Sequence, residues 1–170
     1  MGREYQLAAI KRLDALFGRD RIDYWLFGGW AVDFHAGTVT REHADIDIAV
    51  WHADFDAVDA LLAADGWART PALEDDGYTT YIRDRLRIDL AFLARDEHDT
   101  VYTPLDAGRG EWPVDSFAAD VRELAGTRAR VVSLASLVAD KSEQREDLVT
   151  AAKDAADVAV LRSASGREAR

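Results

Sequence analysis

Cysteine is absent from this chain of 170 residues. Neither a disulfide framework nor a thiolate metal site can therefore be built from it. No stretch approaches the roughly 20 consecutive apolar residues that a membrane-spanning helix needs. The opening MGREYQLAAIKRL is charged and amphipathic, unlike a secretory leader, so a cytoplasmic protein is expected. The four histidines, His35, His43, His52 and His98, show no zinc-type spacing. Positive charge is also scarce: 21 Lys and Arg face 32 Asp and Glu, for a net charge of −11. Such a surface repels nucleic-acid phosphate, which is bound mainly through Lys and Arg, so a nucleic-acid partner is disfavoured. What remains is a length suited to one domain, able to bury roughly 70% of its unfolded surface. No internal repeat divides it.

The most informative stretch runs from Phe27 to Val50, FGGWAVDFHAGTVTREHADIDIAV. From Asp45 to Val50 the pattern alternates with period two. A strand would put Ile46, Ile48 and Val50 on one face and Asp45, Asp47 and Ala49 on the other. At the usual strand rise the two aspartates sit roughly 6.6 Å apart and point the same way. Two converging carboxylates suit Mg²⁺, which takes one or two of them and completes its shell with water and phosphate oxygens. Upstream, Gly28-Gly29 follows the apolar run Tyr24 to Phe27 and permits a tight turn with bare N–H groups. A helix expected to start at Trp30 would add its positive end to the same place. Phosphate cradle and metal site thus fall side by side.

Along the rest of the chain, helices are expected at 4–17 (ended by Gly18), 54–64 (capped by Asp54), 134–141 (capped by Ser133) and 147–161, with a frayed tail after Ser163. The last of these shows an apolar stripe of Leu148, Ala151, Ala152, Ala155, Val158 and Leu161. Strands are expected at 24–27, 45–50 and 67–70, with hairpins over Asp84-Arg85 and over Gly126-Thr127. Residues 96–115 read as a long loop with at most a short strand at Val101-Tyr102. Asp89 interrupts an apolar strand, Leu86 to Leu93, where aspartate fits poorly; it is either a solvated edge residue or part of a site. Arg41 is a phosphate ligand or a partner of Asp33, and His43 a general base or a brace for its loop. Lys141 is a snorkelling surface lysine or a cation reaching a triphosphate.

The string Gly28-Gly29-Trp30-Ala31-Val32-Asp33, Gly37, Thr40-Arg41-x-His43-x-Asp45-Ile46-Asp47 resembles the small antibiotic nucleotidyltransferases. These are the aminoglycoside 2''-O-adenylyltransferases and the lincosamide nucleotidyltransferases, within the superfamily of the DNA polymerase β type. Ala129-Arg130-Val131-Val132-Ser133 before a helix resembles the same family. The wider superfamily often has serine after the first glycine; Gly29 here matches the antibiotic-modifying branch. The resemblance implies an α/β (α+β) nucleotidyltransferase fold, a mixed twisted sheet flanked by helices. Its core would span 1–132, with C-terminal helices at 133–170 packed on the same domain.

It further implies a bacterial, cytoplasmic enzyme moving a nucleoside monophosphate from a nucleoside triphosphate to a hydroxyl of a small molecule. Asp45, Asp47 and Asp89 would be catalytic and hold Mg²⁺, two ions in all. Gly28, Gly29, Trp30, Arg41 and Lys141 would bind the nucleotide. The acceptor would be a polyhydroxylated antibiotic, and the acids Glu74, Asp75, Asp76, Asp96, Glu97 and Asp99 favour a cationic one. The chain would act as a monomer or homodimer, with an acceptor site formed by 96–115 and the C-terminal helices or shared between subunits. Two other readings remain: the same chemistry on a protein or tRNA, and a non-catalytic nucleotide-binding module.

Overall fold

Two neighbouring parallel strands, β2 (Ile46–Trp51) and β5 (Leu86–Arg95), form the centre of the sheet. The computed structural model describes residues 2–70, 77–106, 108–118, 120–143 and 146–168. Flanking the central pair are β1 (Tyr24–Leu26), β3 (Ala68–Arg69), β4 (Tyr78–Arg83), β8 (Asp120–Leu124) and β9 (Thr127–Val131). The strand order is β3-β4-β5-β2-β1-β9-β8. Among the described residues, β2–β5 and β1–β9 are the pairs that run parallel within it. The mixed α/β architecture expected from the sequence is therefore present.

Alternation explains the layering. Ile46, Ile48, Val50, Ile88 and Leu90 are fully buried. The opposite face of the central strands carries Asp47, Ala49 and Trp51 beside Asp89, Ala91 and Leu93, which pair in register. The far part of this second face is roofed by aromatics: Trp25 packs on Trp51 and Phe117, and its indole N–H donates to Ala118 O. The small side chains Ala49 and Ala91 make room for that roof. Near Asp47 and Asp89 the face stays open.

Helices α1 (Arg3–Asp20), α2 (Gly28–Ala36), α3 (Phe55–Ala64), α4 (Leu134–Lys141) and α5 (Leu148–Glu168) complete the fold. Among the described residues, no helix is long and apolar enough to cross a membrane. Helix α1 buries Leu7, Ile10, Leu13 and Phe17 as its periodicity requires, but it passes Gly18 and ends with Arg21 in the left-handed region. Helix α2 begins at Gly28 rather than Trp30. A single 3-10 turn, His52–Asp54, precedes α3, and the Asp54 side chain makes no capping bond. Ser133 does cap α4, accepting from Ser136 N at 3.2 Å.

Three expectations fail more substantially. The segment 96–115 is more than a loop with the short strand expected at Val101-Tyr102: β6 (Val101–Leu105) contains that strand, and with β7 (Gly108–Glu111) it forms a hairpin continuing from the far end of β5. Its glycines and Pro104 conceal the alternation. The chain after Ser163 does not fray at once, since α5 continues to Glu168. Of the apolar stripe expected on α5, Leu161 is fully buried, but Leu148 is 83% exposed and the inward face otherwise carries Asp154, Asp157 and Ala164. The acidic turn Glu74-Asp75-Asp76 lies outside the described residues.

Candidate active site

The site is assembled where α2 begins against β2. Phe27 N donates to Asp47 O at 3.1 Å, and the chain then turns through Gly28 at φ +62°. A Cβ on Gly28 would run into the Asp47 carboxylate, so glycine is required both by the turn and by the approach. Gly29 serves a different neighbour. Its Cβ would lie 2.5 Å from His43 Nδ1 and 2.7 Å from Arg41 Nη2. The positive end of α2 is thereby brought up to Asp47.

Asp47 and Asp89 sit opposite each other on adjacent strands, with backbones about 4.8 Å apart. Asp89 is thus on a central strand, not a solvated edge. Thr80 Oγ1 and Arg87 Nε both donate to its Oδ1, each at 2.8 Å, which leaves Oδ2 to the cleft. Asp45 lies just before β2, which starts one residue later than the alternation suggested. Burial, then the charges of Asp45 and Asp89, push the Asp47 carboxyl up to about 7; Lys141 opposes this and Asp140 adds to it. A cleft of about 280 Å³ opens here, lined by Phe27, Asp47, Tyr78, Thr79, Thr80, Arg87 and Asp89. Tyr78, not singled out in the sequence, is 40% exposed and presents a ring at this cleft. Burial, and then the charges of Asp140 and Asp47, raise the pKa of its phenol.

A larger cavity of about 480 Å³ lies between Arg95, Val101 and the segment 112–118. Arg95 is six residues beyond Asp89 on β5, roughly 20 Å along the strand. It is too remote for chemistry at the carboxylates, so the smaller cleft is the candidate site.

The loop after α2 is held by buried charges. His43 Nε2 is 2.6 Å from Asp33 Oδ2, and its Nδ1 is 3.0 Å from Arg41 Nη1. A guanidinium only donates, so Nδ1 accepts and Nε2 carries the proton. His43 is therefore the brace, reinforced by Gln6 donating to its carbonyl at 3.1 Å. Arg41 does not pair with Asp33 as a salt bridge. It grips Asp157 instead, from Nε at 3.2 Å and Nη2 at 3.1 Å. Burial works against the Arg41 charge, but Asp157, Asp33 and Asp45 favour it and the pKa is raised. Lys141 is not a surface lysine; its Nζ donates to Asp154 Oδ1 at 2.9 Å and lies 3.8 Å from Asp157 Oδ2. The Trp30 side chain is buried against His43, so only its backbone N–H can serve an anion.

Does a divalent cation fit these residues? Among the described residues, no three His, Cys, Asp or Glu side chains converge into a ready-made cage. Mg²⁺ does not require one, because water and phosphate oxygens supply the rest of its shell. The crowding that raises the Asp47 pKa marks negative charge left uncompensated by the protein, and that donor set is all-oxygen. The carboxylates fit a cation that arrives with a polyphosphate.

A Gly-Gly helix start, an Asp-x-Asp run entering β2 and a third aspartate on the neighbouring parallel strand form the arrangement that the resemblance to the nucleotidyltransferases implies. The chain belongs to the aminoglycoside-2''-adenylyltransferase family, whose sequence profile matches residues 9–159. A lincosamide resistance protein of Staphylococcus haemolyticus is 52% identical over 42 residues, 25% of this chain and 23% of that protein. A 2''-aminoglycoside nucleotidyltransferase of Klebsiella pneumoniae is 32% identical over 81 residues, 48% of this chain and 45% of that one. The matched stretches thus span less than half the length of either curated relative. Solved structures share the fold over most of their length. The lincosamide adenylyltransferase LnuA with lincomycin bound superposes with a TM-score of 0.70 at 22% identity, over 90% of this chain and 94% of that one. ANT(2'')-Ia, in complex with adenylyl-2''-tobramycin, gives 0.73 at 22% identity, over 96% and 91%.

The two glycines give separable outcomes. Gly28→Ala is expected to strain the turn and displace Asp47, reducing transfer by roughly a hundredfold or more at a stability cost of about 1–3 kcal/mol. Gly29→Val should instead dislodge Arg41 and His43, so nucleotide affinity and melting temperature fall together. Steady-state kinetics beside melting curves checks both. A Gly28→Ala enzyme with normal turnover would show that the approach to Asp47 is not functional.

Proposed function

We propose that this protein transfers a nucleoside monophosphate from a nucleoside triphosphate to a hydroxyl of a polyhydroxylated antibiotic. The observation that carries this reading is the in-register Asp47–Asp89 pair at the open end of the sheet, beside the bare turn at Gly28. The α2 N-terminus, with the N–H groups of Gly29 and Trp30, receives phosphate oxygens. Lys141 adds a nearby cation with two N–H groups beyond the one given to Asp154. Asp45 and Asp47 would hold one Mg²⁺, and Asp89 would share a second; bound there, Mg²⁺ neutralises phosphate charge and lowers the pKa of the acceptor hydroxyl. Asp89 Oδ2 is free to orient that hydroxyl and accept its proton. Its Oδ1 is fixed by Thr80 and Arg87, so the carboxylate is preorganised. Tyr78 offers the flat surface on which a sugar ring can lie.

The acceptor is proposed to be cationic, for a reason different from the sequence expectation. Asp96 is bonded to Arg109 and Asp99 to Arg95, on the turn at the far end of β5. They do not face the cleft. Asp45, Asp47, Asp89 and Asp140 do lie at or near it, and an amino sugar gains attraction from any of them that the metal leaves unscreened. Transfer assays over aminoglycosides, lincosamides, protein and tRNA, with ATP and GTP, test the assignment. The expected result is acceptor-dependent pyrophosphate release with an aminoglycoside or a lincosamide. For an amino-sugar acceptor, KM rises with salt. Labelling of protein or tRNA alone would overturn the small-molecule reading.

A further inference from the structure

The geometry points to Asp157, on the buried face of α5, as a positioning residue that bridges Arg41 and Lys141 at the phosphate end of the cleft. This rests on the proposed nucleotide transfer and names a part of it that no motif marks. Asp157 Oδ2 is 3.1 Å from Arg41 Nη2 and 3.8 Å from Lys141 Nζ. Its side chain is 2% exposed and that of neighbouring Asp154 is 5% exposed. Two carboxylates buried one helical turn apart are costly unless paired, and an apolar residue would pack there at less cost. Their presence on the stripe that continues as Leu161 and Ala164 needs a reason besides stability.

The two cations supply that reason. Arg41 and Lys141 repel each other, and a carboxylate between them lets both remain close. Each also acts on the site. The Arg41 guanidinium abuts Gly29 at the start of α2, and the Lys141 charge is felt at Asp47. The donor inventory then separates their roles. Arg41 gives Nε and one Nη2 hydrogen to Asp157, and Nη1 hydrogens to Glu42 O and His43 Nδ1. One Nη2 hydrogen is left. Lys141 keeps two of its three. Arg41 is thus a locked wedge against Gly29, and Lys141 is the cation with donors to give a triphosphate. Through Asp157, which grips Arg41 and stands 3.8 Å from Lys141, and Asp154, which bonds Lys141, α5 ties the loop after α2 to α4 and sets where both charges stand.

ATP·Mg²⁺ binding, measured by titration calorimetry on the full chain, tests this. Asp157→Asn is expected to weaken binding tenfold or more, with acceptor KM within twofold. The Arg41→Ala/Asp157→Asn double variant should lose clearly less than the product of the two single losses, since Arg41 is only one of the two cations that Asp157 holds. Arg41→Lys keeps the charge but loses the fork, and it should also weaken binding at least fivefold. Melting curves confirm folded samples; should Asp157→Asn not fold, Arg41→Lys decides. Tighter nucleotide binding by Asp157→Asn would show a competing anion and overturn the inference. So would wild-type affinity in Asp157→Asn, additive losses in the double variant, or wild-type affinity in Arg41→Lys. If the wild type binds no nucleotide, the transferase reading itself falls, which is a distinguishable result.

Discussion

Asp47→Asn is expected to abolish nucleotide transfer while raising the melting temperature of the metal-free protein at pH 8. Loss of a carboxylate that neutralises and positions the reacting phosphates should cost about 4 kcal/mol or more of transition-state stabilisation, a thousandfold in rate. Stability moves the other way. In the unfolded chain this carboxyl loses its proton near 3.8, whereas the folded protein retains it to about 7. Between those values the folded state binds more protons, so wild-type stability falls as pH rises through the window. Above it the penalty is complete, on the order of 2–4 kcal/mol. Asparagine removes it, for a gain of roughly 5–10 °C in a chain of this size. The gain should shrink as pH is lowered and vanish near pH 4. Calorimetric scans from pH 4 to 8 without divalent ions check this. An Asn variant with no pH-dependent advantage, or with wild-type turnover, contradicts the role given to Asp47.

Asp89→Ala is expected to separate binding from chemistry. Asp89 faces the cleft through Oδ2, and its partners Thr80 and Arg87 hold only Oδ1. The proposed work is on the acceptor hydroxyl, where a general base contributes roughly 10²–10⁴ in rate. ATP·Mg²⁺ affinity should therefore stay within a few-fold of wild type while the single-turnover rate falls by at least a hundredfold. Equal loss in both would place Asp89 in the shell around the nucleotide's metal. Arg87 complicates the variant usefully: without Asp89 its cation remains beside the cleft, so acceptor affinity for an amino sugar should also drop.

The central part of this site was legible because period-two alternation is strict there. Ile46, Ile48 and Val50 alternate with Asp47 and Ala49, and Leu86, Ile88 and Leu90 alternate with Arg87 and Asp89, so both aspartates were assigned to strands. Their pairing in register depends on a parallel contact between residues 42 positions apart in the chain, which no local pattern reveals. The reason for Gly28 and Gly29 was only half visible. Turn geometry follows from sequence, but the close approaches of Asp47 to one and Arg41 to the other do not. Asp157 was missed because leucine, valine and alanine mark a plausible stripe on α5. The true inward face is rotated from it by the need to bury charge against Arg41 and Lys141. Helix propensity cannot distinguish those two faces. The β6–β7 hairpin was hidden by Pro104, Gly108 and Gly110, residues that usually mark loops. Tyr78 and Thr80 looked like ordinary strand residues, and only the cleft gives them a role.

The most direct measurement of the central claim follows the label in two parallel reactions, one with α-³²P-labelled and one with γ-³²P-labelled nucleoside triphosphate. The acceptor is an aminoglycoside or lincosamide that supports pyrophosphate release. Nucleotide transfer predicts that the α label is recovered on the antibiotic, that the γ label leaves entirely in pyrophosphate, and that Asp47→Asn and Asp89→Ala label nothing above background. Recovery of the γ label on the antibiotic, or of the α label only as free nucleoside monophosphate, would contradict it.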